Sequence, residues 1–193
     1  MNHPLNPLLE LLWAFVGLFL TIFGTMIEAS LTSPLSGLGG SDSTVLSLGV
    51  TYQVGAILLV GCLGGKNAGA LSQIAYLTLG LTPWFPIFSQ GGGWDYTSQP
   101  IFGYLLGFIP GAWVCGWIAF RSRRQLETLA LGCLAGLFSV HVTGWLYAAI
   151  LRLPSDQFWA IVWTYSVQAI PGQVALACAA ATIAYILRRA LFY

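Results

Sequence analysis

Charge is what this sequence has least of. Asp, Glu, Lys and Arg make up 7% of its 193 residues, while 57% are hydrophobic. A soluble domain carries about 25% charged residues, so this composition excludes an ordinary water-facing surface. The net charge of +1 names no nucleic acid or acidic partner. The stretch before Leu8 has no Lys or Arg, and so lacks the basic start of a secretory leader. No GxxxxGK[ST] loop occurs, which excludes a self-contained ATPase. No GxSxG elbow occurs either. Ser139 and His141, two residues apart, lie on different faces of a helix and form no nucleophile–base pair. The four cysteines, Cys62, Cys115, Cys133 and Cys178, form no CxxC pair. They read as small packing residues, with no disulfide framework, metal site or cofactor implied.

What is present is apolar sequence in runs near the bilayer-spanning length of about 20 residues. These predict an all-α integral membrane protein, a single domain over 1–193, with six transmembrane helices at about Leu8–Ala29, Leu46–Gly64, Ala68–Leu81, Ile101–Phe120, Glu127–Leu151 and Pro171–Ala190. The third is short because Pro83 and Pro86 lack the donor a helix needs. Pro171 suits the first turn of the last helix. Before it, "SDQFWAIVWTYSVQA" carries Trp159, Trp163 and Tyr165, rings that favour the membrane interface. It reads as a short interfacial helix capped by Ser155 or Asp156.

Six spans place both termini on one side. Lys66, Arg121, Arg123, Arg124, Arg188 and Arg189 then share that side, and Arg152 alone lies opposite with Asp42, Asp95 and Asp156. The positive-inside rule makes the basic side cytoplasmic, in a plasma-membrane protein bathed in lipid. The outer connections, Ser30–Val45, Thr82–Pro100 and Arg152–Ala169, are long and rich in Gly, Pro and aromatics. Long ordered connections of this kind are usually functional, and the architecture opens outward.

Polar groups at membrane depth are paired or functional. Gln53, Gln90, Gln168 and Gln173 map near the outer boundary. Their amides both donate and accept, which suits a neutral ureido or amide ligand, or equally hydrogen bonds between helices. His141 has no ligating partner at helical spacing and reads as a packed core histidine. Glu28 faces water or pairs with Arg152. Gly61, Gly65 and Gly69, and Gly103, Gly107 and Gly111, make small-xxx-small faces for close packing, inside the bundle or against another subunit. In "PIFSQGGGWDY", Gly91, Gly92 and Gly93 lie between Phe88 and Trp94. Such irregular backbone either lines a cavity or forms a mobile outer loop.

The residues "YQVGAILLVGCLGGKNAGALSQIAYLTLG", "PIFSQGGG" and "PIFGYLLGF" resemble the BioY family, the biotin-binding S components of energy-coupling factor transporters. The matching positions include Gln53, Gly61, Gly64, Gly69, Ser72, Tyr76, Gly80, Pro86, Phe88, Gly91, Gly92, Gly103, Tyr104, Gly107 and Phe108. The resemblance implies an outward pocket for biotin, capped by the loop between the first two helices. It also implies a transmembrane coupling subunit and a pair of ATPases as partners, and transport by toppling within the membrane. At the start of the last helix the family places an Asp and a Lys that contact biotin. Here Gln173 and Leu176 stand there. The first helix has no AxxxA face, with Ala14, Gly17 and Gly24 as its small residues. The expected pocket residues are Gln53, Gln90, Tyr104 and Gln173 for the polar head, Phe88 and Trp94 over the apolar ring, and Gly91 and Gly92 as backbone wall. The alternative is an accessory or structural membrane protein that binds a partner through its outer face and takes no solute.

Overall fold

The structure is a computed structural model and describes residues 6–32, 45–121, 125–152 and 156–190. Asp42, Arg123, Arg124, Ser155 and most of the expected capping loop (33–44) lie outside the described residues. The first helix, α1 (Pro7–Met26), opens with Pro in its first turn and with the Asn6 side chain accepting from the Leu8 N–H at 3.1 Å, an N-cap that satisfies an orphan donor. Its buried residues are small ones, Ala14, Gly17, Thr21, Gly24 and Thr25. A Cβ on Gly17 would lie 2.7 Å from Val60 and 2.9 Å from Ser72, so the small face of α1 is used against the next helix. Leu8, Phe15, Phe19 and Phe23 are exposed on its other side.

Two segments expected to be helical are strands instead. The first helix stops at Met26, not Ala29, and Glu28–Thr32 forms β1. The second was expected from Leu46, but Val45–Thr51 forms β2, antiparallel to β1 with Ser30 opposite Ser47 and Glu28 opposite Thr51. In "VLSLGVT", Leu46, Leu48 and Val50 alternate with Ser47, Gly49 and Thr51. That is a period of two, the signature of a strand with unlike faces, hidden beside a longer apolar run. Glu28 accepts a hydrogen bond from the Ser47 hydroxyl across this ribbon.

Helix α2 (Gln53–Leu81) consists of two helical arms joined at a kink. Gly65 has φ 80° and ψ −179°, a region open in practice to glycine alone. There the chain reverses. The Gln53 side chain bonds the Tyr76 hydroxyl at 3.0 Å, although these residues would stand about 34 Å apart along a straight helix. The arms 53–64 and 66–81 are therefore antiparallel neighbours. A Cβ on Gly69 would sit 3.3 Å from the Cα of Gly61, and one on Gly61 would sit 2.8 Å from the Ala112 carbonyl oxygen. The small-xxx-small face thus serves packing within the chain.

The second arm ends at Leu81, and Thr82 is extended, as the two prolines require. The glycine segment then folds back. Phe88 and Gly91 exchange backbone hydrogen bonds, and the Gly93 N–H donates to Gly80 at 2.8 Å. Gly91 and Gly93 hold φ of 118° and 88°, and a Cβ on Gly92 would lie 2.7 Å from the Gly80 carbonyl oxygen. A 3-10 turn, Trp94–Ser98, leads to α3 (Phe102–Ala119). Helix α4 (Leu126–Arg152) follows. Helix α5 (Asp156–Val162) passes through a π turn, Trp163–Val167, into α6 (Ile170–Ala190).

Among the described residues, five helical stretches are long and apolar enough to cross a membrane: Pro7–Met26, Gln53–Leu81, Phe102–Ala119, Leu126–Leu151 and Asp156–Ala190. Their shared core is built on Ile57, Leu58, Leu63, Tyr76, Phe108, Leu129 and Val140. One end of the bundle gathers cations on aromatic rings. Lys66 lies over Trp113, Arg121 over Trp117 and Arg188 over Phe120, at 5.5, 5.0 and 4.2 Å. The Arg188 guanidinium also donates to the Ala119 carbonyl at 2.9 Å.

Candidate functional site

At the opposite end of the bundle, β2, both arms of α2, α3, α4 and the π turn into α6 enclose a cavity of about 450 Å³, within the size range of small-ligand sites. Its buried wall includes Gln53, Tyr76, Tyr104, Phe108, Val140 and Gln173. Its rim carries Gly49, Ser89, Thr164 and Gln168, all exposed. Strand β2 closes over the start of α6 because Gly172 has no side chain: a Cβ there would meet the Leu48 carbonyl oxygen at 2.5 Å.

A buried polar network holds one wall. Ser166, on the π turn, lies 2.9 Å from the Tyr104 hydroxyl and 2.9 Å from His141 Nδ1, and it accepts from Trp145 Nε1 at 2.8 Å. On its other nitrogen, His141 Nε2 lies 2.8 Å from Gln173 Oε1. An amide oxygen only accepts, so His141 donates from Nε2 and its Nδ1 accepts the Ser166 proton. The Ser166 oxygen then accepts from Trp145 and Tyr104. Every member is satisfied by a neutral imidazole. His141 is the packed core histidine that its sequence context suggests.

A second network fixes Gln53. Its Nε2 donates to the Tyr76 hydroxyl at 3.0 Å, and that hydroxyl also lies 3.2 Å from Thr25 Oγ1 and donates to the Ile87 carbonyl at 3.3 Å. The two amides are thereby left in opposite states. Among the described residues, Gln53 keeps its carbonyl oxygen uncommitted and Gln173 keeps its NH₂. The cavity is offered one acceptor and one donor from fixed positions.

Of the eight residues expected at the pocket, Gln53, Tyr104 and Gln173 line this cavity. Phe88 lies behind the wall, its ring 5.3 Å from Tyr76 and 4.8 Å from Tyr96. Gly91 and Gly92 belong to the fold-back against Gly80. Gln90 and Trp94 are exposed, Trp94 by 70%, and neither lines the cavity, whereas Ser89 does. Ser166, Trp145 and Thr51 had no signal of their own in the sequence. Ser166 becomes central only because the π turn aims it at two other helices.

Three cysteines far apart in sequence come together. The sulfurs of Cys62, Cys115 and Cys133 are 3.5, 3.6 and 4.0 Å apart and fully buried. Among the described residues they are the group close enough to hold a metal ion. They stand away from the cavity, which none of them lines, and the Cys115 thiol donates to the Leu58 carbonyl at 3.4 Å.

Comparison with known proteins gives a consistent picture. The sequence model of the BioY family matches residues 7–192. An uncharacterized 21.2 kDa protein from the psbX-ycf33 intergenic region of Cyanophora paradoxa is 26% identical over 183 residues, covering 94% of this chain and 95% of that protein. The probable biotin transporter BioY of Lysinibacillus sphaericus is 34% identical over 139 residues, covering 69% of this chain and 70% of that protein. Among solved structures, the S-component for biotin from an ECF-type ABC transporter superposes with a TM-score of 0.67. It covers 92% of this chain and 89% of its own at 20% identity, a likeness of fold.

Proposed function

The chain belongs to the BioY family, and we propose that it is the substrate-specific component for biotin of a vitamin uptake transporter in the plasma membrane. The observation that carries the reading is the pair of amides in the cavity. Biotin's ureido head presents N–H donors beside a carbonyl acceptor. Gln53 offers an uncommitted acceptor and Gln173 an uncommitted donor, each held by a buried partner. Apolar surface from Val54, Leu105, Phe108 and Val140 suits the fused rings and aliphatic chain. Within this proposal Gln53, Tyr104 and Gln173 touch the head. Phe88, Gly91 and Gly92 hold the wall from behind. Gln90, next in sequence to the rim residue Ser89, and the exposed Trp94 close over the ligand.

The arrangement in the membrane follows from the same reading. Residues 1–193 form one domain whose crossings are α1, the two arms of α2, α3, α4 and α6, with α5 lying at the interface. The cationic end around Lys66, Arg121 and Arg188 supports a cytoplasmic location for that end and for both termini. The cavity then opens outward. Exposed apolar residues such as Phe15 on α1 and Phe138 and Ile150 on α4 suit contact with lipid. The chain is a transporter subunit, not an enzyme. A transmembrane coupling subunit and ATPase subunits supply the energy, since the sequence carries no phosphate-binding loop.

Calorimetric titration of the detergent-purified protein tests this, with biotin, desthiobiotin and thiamine as titrants. The expected result is saturable heat with biotin and none with thiamine. No heat with biotin from folded protein overturns the reading.

A further inference from the structure

No charged side chain lines the cavity among the described residues. Lys66, Arg121 and Arg188 stand at the far end of the bundle. Arg188 binds the carbonyl of Ala119, and Ala119 lies about 22 Å along α3 from Tyr104 at 1.5 Å per residue. Arg188 itself is about as far along α6 from Gln173. Lys66 lies beyond the reversal at Gly65, again at the far end of both arms. One turn past Gln173 stands Leu176. It is buried, and its side chain packs 3.7 Å from the Cβ position of Gly55.

Biotin ends in a carboxylate, and a carboxylate buried without a partner is strongly disfavoured. Among the described residues this cavity offers neutral groups only. Its hydroxyls and amides at the rim, Ser89, Thr164 and Gln168, are the exposed ones, where a carboxylate would keep its water. We propose that the site recognises its ligand through neutral groups alone and leaves the ligand's carboxylate hydrated at the rim. Its substrate class is then the biotin ring system with an acid, ester or amide at the end of the chain. This rests on the biotin reading above and narrows it.

The test is competition calorimetry with biotin, biotin methyl ester and biotin primary amide. It is run on the full chain and on the variant Arg152→Gln, which alters the basic residue that ends α4. The ester and the amide are expected to bind within about tenfold of biotin, that is within about 1.4 kcal/mol. The variant is expected to bind biotin as the wild type does. A loss of about tenfold or more for either neutral derivative overturns the proposal. So does a comparable loss of biotin affinity in Arg152→Gln with the ester unaffected. Either result, obtained while biotin still binds the wild type, leaves the biotin reading standing. No heat with biotin itself overturns the biotin reading and this proposal together.

Discussion

Gln173 accepts a hydrogen bond from His141 at 2.8 Å, across the contact between α4 and α6. The bond fixes both the histidine tautomer and the direction of the glutamine amide, and so decides which half of that amide faces the cavity. Replacing His141 with Leu removes this constraint and leaves Ser166 and Gln173 with one partner fewer. An unsatisfied buried polar group costs about 1–3 kcal/mol. The variant is expected to bind biotin about tenfold more weakly and to melt at lower temperature, read by calorimetry and by thermal unfolding in detergent. Undiminished affinity would show that the amide is positioned by something else.

Ser166→Ala tests the hub of the same network. It strips a partner from Trp145, Tyr104 and His141 at once. With a loss of about 2 kcal/mol or more, a chain of this size is expected to lose about 4–8 °C in melting temperature. A change under one degree would mean that the three groups re-pair elsewhere.

Gly172→Ala probes the roof of the site. The added methyl would lie 2.5 Å from the Leu48 carbonyl oxygen, a clash with backbone that only a shift of β2 relieves. Biotin affinity is expected to fall by tenfold or more while the helical circular dichroism stays that of the wild type. Retained affinity would show that β2 does not shape the cavity.

Gly65→Ala probes the reversal of α2. At φ 80° and ψ −179° a side chain adds strain of about 1–3 kcal/mol. The expected outcome is reduced yield of monodisperse protein and a lower melting temperature, whereas Gly55→Ala, a site whose nearest neighbour is 3.7 Å away, should fold as the wild type does.

Thiol accessibility should divide the cysteines. Cys178 is exposed, and Cys62, Cys115 and Cys133 are buried. N-ethylmaleimide on folded, detergent-solubilised protein is expected to add one label, and all four after denaturation, by intact mass. More than one label on the folded protein would mean that the sulfur cluster opens readily.

Composition and short-range pattern determined much of this protein. Low charge forces a membrane solution, the prolines at 83 and 86 stop the second arm of α2 at Leu81, and Pro171 marks the start of α6 to within a residue. These effects act over one or two helical turns, so neighbouring residues suffice to reveal them. Gln53 and Gln173 were readable as pocket candidates because an amide near the membrane boundary needs a partner, and Tyr104 through the family resemblance. The rest depended on contacts between residues distant in sequence. Whether an apolar run before Gln53 became a helix or a strand turned on a pairing partner at Glu28–Thr32. The three cysteines look unrelated until α2, α3 and α4 pack together. Gln53 and Gln173 had equal hydrogen-bonding capacity in the sequence. Only the fold, by giving one to Tyr76 and the other to His141, decided that the first would offer an acceptor and the second a donor.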